Sequence, residues 1–218
     1  MVTDERLTAA AEAYERSVFQ SDGSGLPAAE QGLDALDADA ALHRGRLRHA
    51  GYLARRDSDP SEDPRELPLF EQALATYRAL GDPRGEAEAL FWVGCVHQVV
   101  RGDGATAVPL FEQGVELAEA AGDRRTLSYL LRHLGIAAHQ EGNLTAAREL
   151  LERSTLLRRE LHFDAGVAAN LVGLAYLAYA EGRREGAAAL LDEGDRLCAA
   201  AGAAGIARHL AEARTDLG

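Results

Sequence analysis

The chain has no lysine: all 23 of its basic residues are arginine. That alone excludes a phosphate loop of the G-x-x-x-x-G-K-[ST] type. Cysteine is nearly as scarce. Cys95 and Cys198 stand far apart and form no disulfide framework, so a reducing cytoplasm is the expected compartment. Aromatic residues make up only 6%, and alternating Val-, Ile- or Thr-rich runs are missing, which argues against a sheet. No apolar stretch approaches the roughly 18 residues of a membrane span. The N-terminal stretch MVTDERLTAAAEAYERSVF carries acids and no long apolar run, so it is not expected to act as a signal peptide.

Basic charge is also in deficit. The formal net charge is −12, from 35 acidic residues against 23 basic ones. Nucleic acid would be repelled by such a chain unless a basic face offset it, and the best basic run, Arg44 to Arg56, sits within one expected helix. What remains abundant is Ala, Leu, Glu and Arg, the strong helix formers, which makes the expected class all-α. Arginine without lysine, together with abundant Ala and Gly, is the composition of a high-GC, actinobacterial type of genome.

A repeat organises the chain. Stepping by about 40 residues, Gly102 returns as Gly142 and Gly182, Ala107 as Ala147 and Ala187, and Leu110 as Leu150 and Leu190. Phe111 returns as Leu151 and Leu191, Glu112 as Glu152 and Asp192, and Leu117 as Leu157 and Leu197. Upstream, LPLFEQ (67–72) matches VPLFEQ (108–113), and GDPR (81–84) matches GDRR (122–125). Each copy reads as two helices joined at the recurrent glycine, which supplies a left-handed turn. In the third copy Leu131, Leu134, Gly135 and Ala138 follow the spacing of one buried helix face.

This pattern resembles the tetratricopeptide repeat family in its longer, forty-residue form. The third copy carries the family's positions as Leu131, Leu134, Gly135, Gly142, Ala147, Leu151 and Ser154. The fourth carries them as Leu171, Leu174, Ala175, Gly182, Ala187, Leu191 and Gly194. The second matches with Leu90, Val93, Gly94, Gly102, Ala107, Phe111 and Gly114 if one extra residue is allowed within Cys95–Arg101. An insertion inside a helix is commonly absorbed as a π-bulge, a feature frequent at functional sites; a slightly longer helix with a looser turn is the alternative. The family's terminal Pro is replaced by GD or HF turns. The resemblance implies a right-handed α-α superhelix, a solenoid of about five helical hairpins with a C-terminal capping helix, as one domain over 1–218. Residues 1–64 are expected to be degenerate repeats with helices near 4–19, 25–36 and 38–56, residues 65–202 clear repeats, and 203–218 the cap.

Candidate chemistry is thin. In ALFWVGCVHQVVRGDG (89–104), Cys95 and His97 form only a C-x-H pair, and a zinc site would need further ligands converging from elsewhere. The histidines include no i, i+4 pair and no H-E-x-x-H, and DSDPSED (57–63) lacks the glycine and final Glu of a calcium loop. No metal site, cofactor or catalytic residue is expected, and the chain is not expected to be an enzyme.

The resemblance implies a concave groove lined by the first helix of each repeat. Carried onto this chain, the groove positions give Phe91, Gln98, Tyr129, Arg132, Ile136, His139, Val172, Tyr176 and Tyr179. Aromatic bodies with polar tips beside an arginine suit recognition of a protein or peptide. The alternative is that the same rings simply pack against the next helix. The family's carboxylate clamp uses Lys and Asn in the groove; with no Lys, and with His133 and Ile136 at the matching positions, that specificity is not carried over. The expected function is a non-catalytic protein- or peptide-binding adaptor, with no nucleic-acid or membrane partner. A small-molecule receptor or accessory enzyme with a pocket around Arg132, His139, Tyr176 and the Cys95 helix is the alternative, and a homo-oligomer burying its own groove is another.

Overall fold

A computed structural model describes residues 4–218. Among them there are helices and no strands: α1 (Glu5–Gln20), α2 (Leu26–Arg55), α3 (Glu66–Leu80), α4 (Pro83–Cys95), α5 (Gly104–Ala120), α6 (Arg124–Gln140), α7 (Leu144–Glu160), α8 (Asp164–Ala180), α9 (Arg184–Ala201) and α10 (Ala204–Leu217). The chain falls into two compact units, one ending at Asp103 and the other spanning Gly104–Gly218. The boundary lies inside the second repeat, between its two helices.

In the first unit α1 packs on α2, α2 on α3, and α3 on α4. The sequence predicts two helices across 25–56, but α2 runs unbroken. The segment LDALDADAAL contains neither glycine nor proline. Asp37, at the expected junction, does not interrupt the helix, and Asp39 beside it ties α2 to its neighbours. Its carboxylate accepts from Arg6 Nη1 at 2.6 Å and from the Tyr77 hydroxyl at 2.7 Å. With no glycine or proline to break it there, the helix ladder continues. The one-residue insertion is absorbed as a π-helical turn, Val96–Val100, directly continuing α4.

In the second unit α5 to α9 follow one another as antiparallel neighbours, and α10 packs on both α8 and α9. The forty-residue step is visible in the helix bounds. The helices α6 and α8 start at Arg124 and Asp164, and α7 and α9 start at Leu144 and Arg184. Two of the matched columns are core. Ala107, Phe111 and Ala147 are fully buried, and Leu151, Ala187 and Leu191 nearly so. Gly135 is a close-approach glycine: a Cβ there would meet Leu151 at 3.0 Å and the Ala147 carbonyl at 3.3 Å. On α10, Leu210 and Ala213 are buried in the cluster formed with α8 and α9, while Arg208, Glu212 and Arg214 face solvent.

The turn that leads into each first helix uses a left-handed residue. Gly81, Gly122 and Gly202 hold φ of +67°, +64° and +64°, and His162 takes the same place with φ +52°. A side chain there costs about 1 kcal/mol relative to glycine. His162→Gly is accordingly expected to stabilise the protein by about 1 kcal/mol, read as an upward shift of the thermal midpoint; an unchanged or lowered midpoint would show that the imidazole makes compensating contacts.

Candidate binding face on α6 and α8

Seven of the nine groove positions lie in the second unit, on α6 and α8. Tyr129, Arg132, Ile136 and His139 are half-buried on α6, and Val172, Tyr176 and Tyr179 are half-buried on α8. Phe91 and Gln98 belong to the first unit. Phe91 is corrected to a core residue: it is 4% exposed, edge-on to Trp92 at 4.9 Å, because α4 buries this position together with Leu90 and Val93. Gln98 is half-buried in the π-turn.

The α8 helix explains the half-buried stripe. After Asp164 it carries no charged residue through Ala180, so apart from the buried Asn170 it is largely apolar on every side. Its core side buries Val167, Ala168, Leu171, Leu174, Ala175 and Ala178. The remaining face presents Ala165, Ala169, Val172, Gly173, Tyr176 and Tyr179, all partly exposed. A surface helix normally puts charge there. Both tyrosines have structural anchors as well. The Tyr176 hydroxyl donates to Asp216 at 2.6 Å, which pushes its pKa up to about 12, and Arg184 lies over the Tyr179 ring at 5.3 Å. Tyr179 also lines a cleft of 220 Å³ with Ala187, Leu191 and Leu217, smaller than the usual small-molecule site.

Tyr129 and Arg132 belong to a polar cluster that the groove pattern does not reveal. Arg132 Nη1 donates to the Ala169 carbonyl at 2.7 Å and to Asn170 Oδ1 at 3.1 Å, tying α6 to α8. Arg158, on α7, donates through Nη1 to the same Asn170 Oδ1 at 3.0 Å and to the Gly166 carbonyl at 2.8 Å. Asn170 Nδ2 donates onward to Ser154 Oγ at 2.9 Å and Thr155 Oγ1 at 3.1 Å, and Ser154 Oγ donates to the Ser128 carbonyl at 2.5 Å. The Tyr129 and Phe163 rings lie 4.9 Å and 5.6 Å from the Arg158 guanidinium, and Arg125 lies 4.7 Å from the Phe163 ring.

Burial dominates the electrostatics of this cluster. Arg158 is only 1% exposed and Asn170 is fully buried. Desolvation pulls the Arg158 guanidinium down to about 9, assisted by the neighbouring Arg132 charge, and pulls Arg132 down to about 10. A signal for Arg158 and Asn170 is present in the repeat itself. The Arg158 column holds Tyr77, Ala118 and Cys198 in the other copies, and the Asn170 column holds Ala89, Leu130 and Leu210, all buried. These are the places where one copy departs from an otherwise apolar pattern.

Among the described residues no group of three or more His, Cys, Asp or Glu is placed to hold a metal ion. Cys95 is buried, and desolvation pushes its thiol well above the ordinary range, which makes it a poor nucleophile. No helix among the described residues is long and apolar enough to cross a membrane. A scan against protein-family models finds no match, and a search of the curated proteins finds none either. The tetratricopeptide resemblance therefore rests on the residue pattern and the helical hairpins alone.

Proposed function

We propose that the chain is a non-catalytic adaptor of the tetratricopeptide solenoid type, which binds a protein or peptide on the face made by α6 and α8. The observation that carries this reading is the uncharged α8 helix. Its outer stripe through Val172 and Tyr176 stays partly exposed while its other faces are core. An apolar stripe with tyrosine tips, flanked by Ile136, His139 and Arg132 on α6, has the composition of an interface centre with a polar edge. An extended or helical peptide would bury Val172 and the tyrosine rings and use Arg132 or the tyrosine hydroxyls for orientation.

The experiment is to select binding peptides from a random library on the immobilised protein and then test them on Val172→Glu. That substitution places one charge in the middle of the stripe and leaves the residues Arg132, Asn170 and Arg158 themselves unchanged. Selected peptides are expected to lose binding. Peptides that ignore the substitution would place recognition elsewhere on the protein.

A further inference from the structure

The arginines of this chain are mostly paired with acids. Arg148 contacts Glu181, Arg159 contacts Glu193, Arg214 contacts Asp192 and Asp195, and Arg101 contacts Glu62. Acids are in excess, 35 against 23, so partners are plentiful. Arg132 and Arg158, the two arginines most penalised by burial, have none. Their charges are perturbed by desolvation, by Tyr129 and by other arginines, and no carboxylate contributes.

Such an arrangement is expensive. A buried cation normally recruits a counter-charge, because leaving it unpaired costs several kcal/mol. Here Asn170 supplies only one neutral oxygen, shared between the two guanidinia at 3.1 Å and 3.0 Å. Arg158 Nη2 is buried and has no hydrogen-bond partner at all. The fold does not require this chemistry at Arg158 or Asn170, since their columns hold Tyr77, Ala118 and Cys198 and Ala89, Leu130 and Leu210 in the other copies. Local rules broken in one copy and left with an unsatisfied buried donor point to a functional site.

We infer that the Arg132–Arg158 pair is a binding site for a compact, doubly charged oxyanion of the phosphate type, either as the free ion or as a monoester carried by a ligand on the α6/α8 face. The monoester source rests on the adaptor reading; the anion chemistry does not. A dianion neutralises both guanidinia, whereas a single carboxylate neutralises one. The planar guanidinium fork matches phosphate oxygens, and the free Nη2 of Arg158 supplies donors that no protein acceptor uses. The rings over Arg158, Tyr129 and Phe163, are themselves partly exposed, so the guanidinium lies one side chain beneath the surface. Desolvation strengthens whatever charge pairing occurs there.

The test is isothermal titration of the full chain with inorganic phosphate, O-phosphoserine and succinate, at constant ionic strength. Phosphate is expected to bind, and Arg132→Gln and Arg158→Met are each expected to weaken it by about tenfold or more, the loss of one charge-assisted contact. Arg132 is only half-buried, so Arg132→Gln keeps the experiment informative if Arg158→Met fails to fold. Arg148→Gln, an exchange in the Glu181 pair, should leave binding unchanged. Tighter binding of phosphoserine than of phosphate identifies the monoester as ligand, and the reverse order identifies the free ion; both support the site. No binding of phosphate or phosphoserine, binding indifferent to Arg132→Gln, or succinate binding as tightly as phosphate overturns it. Tyr179→Ala separates the two readings, because it trims the stripe without adding a charge: it should weaken peptide binding and leave phosphate binding intact.

Discussion

Asn170→Ala is expected to destabilise the protein by about 3 kcal/mol, among the largest effects of any single truncation in the second unit. The side chain is fully buried and makes four hydrogen bonds, accepting from Arg132 and Arg158 and donating to Ser154 and Thr155. Its removal leaves each buried guanidinium holding only one close backbone acceptor, the Ala169 carbonyl for Arg132 and the Gly166 carbonyl for Arg158. The informative comparison is the double variant Asn170→Leu/Arg158→Met. It restores the apolar residue types that the neighbouring copies use and removes the more deeply buried of the two charges along with its acceptor, leaving Arg132 on the Ala169 carbonyl. Replacing a buried polar group and its partner together by apolar groups is often neutral or stabilising. The double variant is therefore expected to unfold at or above the wild-type midpoint in urea and on heating. If it is as unstable as the single variant, the cluster is there for stability and not for binding.

His49→Leu is expected to cost a similar amount, about 3 kcal/mol, in the first unit. His49 Nδ1 lies 2.7 Å from Glu66 Oε1, and both side chains are buried. The other carboxylate oxygen, Oε2, already lacks a hydrogen-bond partner, as does Trp92 Nε1. The His49 ring packs edge-on to Trp92 at 5.5 Å, and Trp92 in turn stacks on Phe70 at 5.5 Å. Without the imidazole, a buried carboxyl is left with neither oxygen satisfied inside an aromatic cluster. His49→Leu/Glu66→Met removes that penalty, so the double variant should be more stable than His49→Leu alone. Additive losses, measured by chemical denaturation of all four proteins, would contradict the pairing argument.

Much of the fold is legible in the sequence because a repeat multiplies every local signal. Gly142 and Gly182 mark turns, Ala147 and Ala187 mark close helix contacts, and each copy supports the reading of the next. The insertion within Cys95–Arg101 is legible for the same reason, since flanking copies fix where one residue too many must be absorbed. Where the repeat fades, local chemistry misleads. The expected break at Asp37 does not form, because no glycine or proline interrupts LDALDADAAL and α2 continues. Phe91 occupies a groove position by count, but α4 buries it against Trp92, a tertiary fact that spacing does not carry. Arg158 and Asn170 escape a search for matched columns because they sit in mismatched ones. An arginine in a column of Ala and Cys is the signal that the sequence offers for them.

The adaptor reading is tested most directly by the affinity of one library-selected peptide for three proteins: wild type, Val172→Glu and Leu156→Glu. Leu156 is an exposed leucine on α7, 57% accessible, and it controls for charge placed on a surface away from the proposed face. The expected result is at least a roughly tenfold loss for Val172→Glu, the order that follows when a charge enters an apolar interface centre, and wild-type affinity for Leu156→Glu. Equal affinity for all three proteins, or loss only with Leu156→Glu, would contradict it.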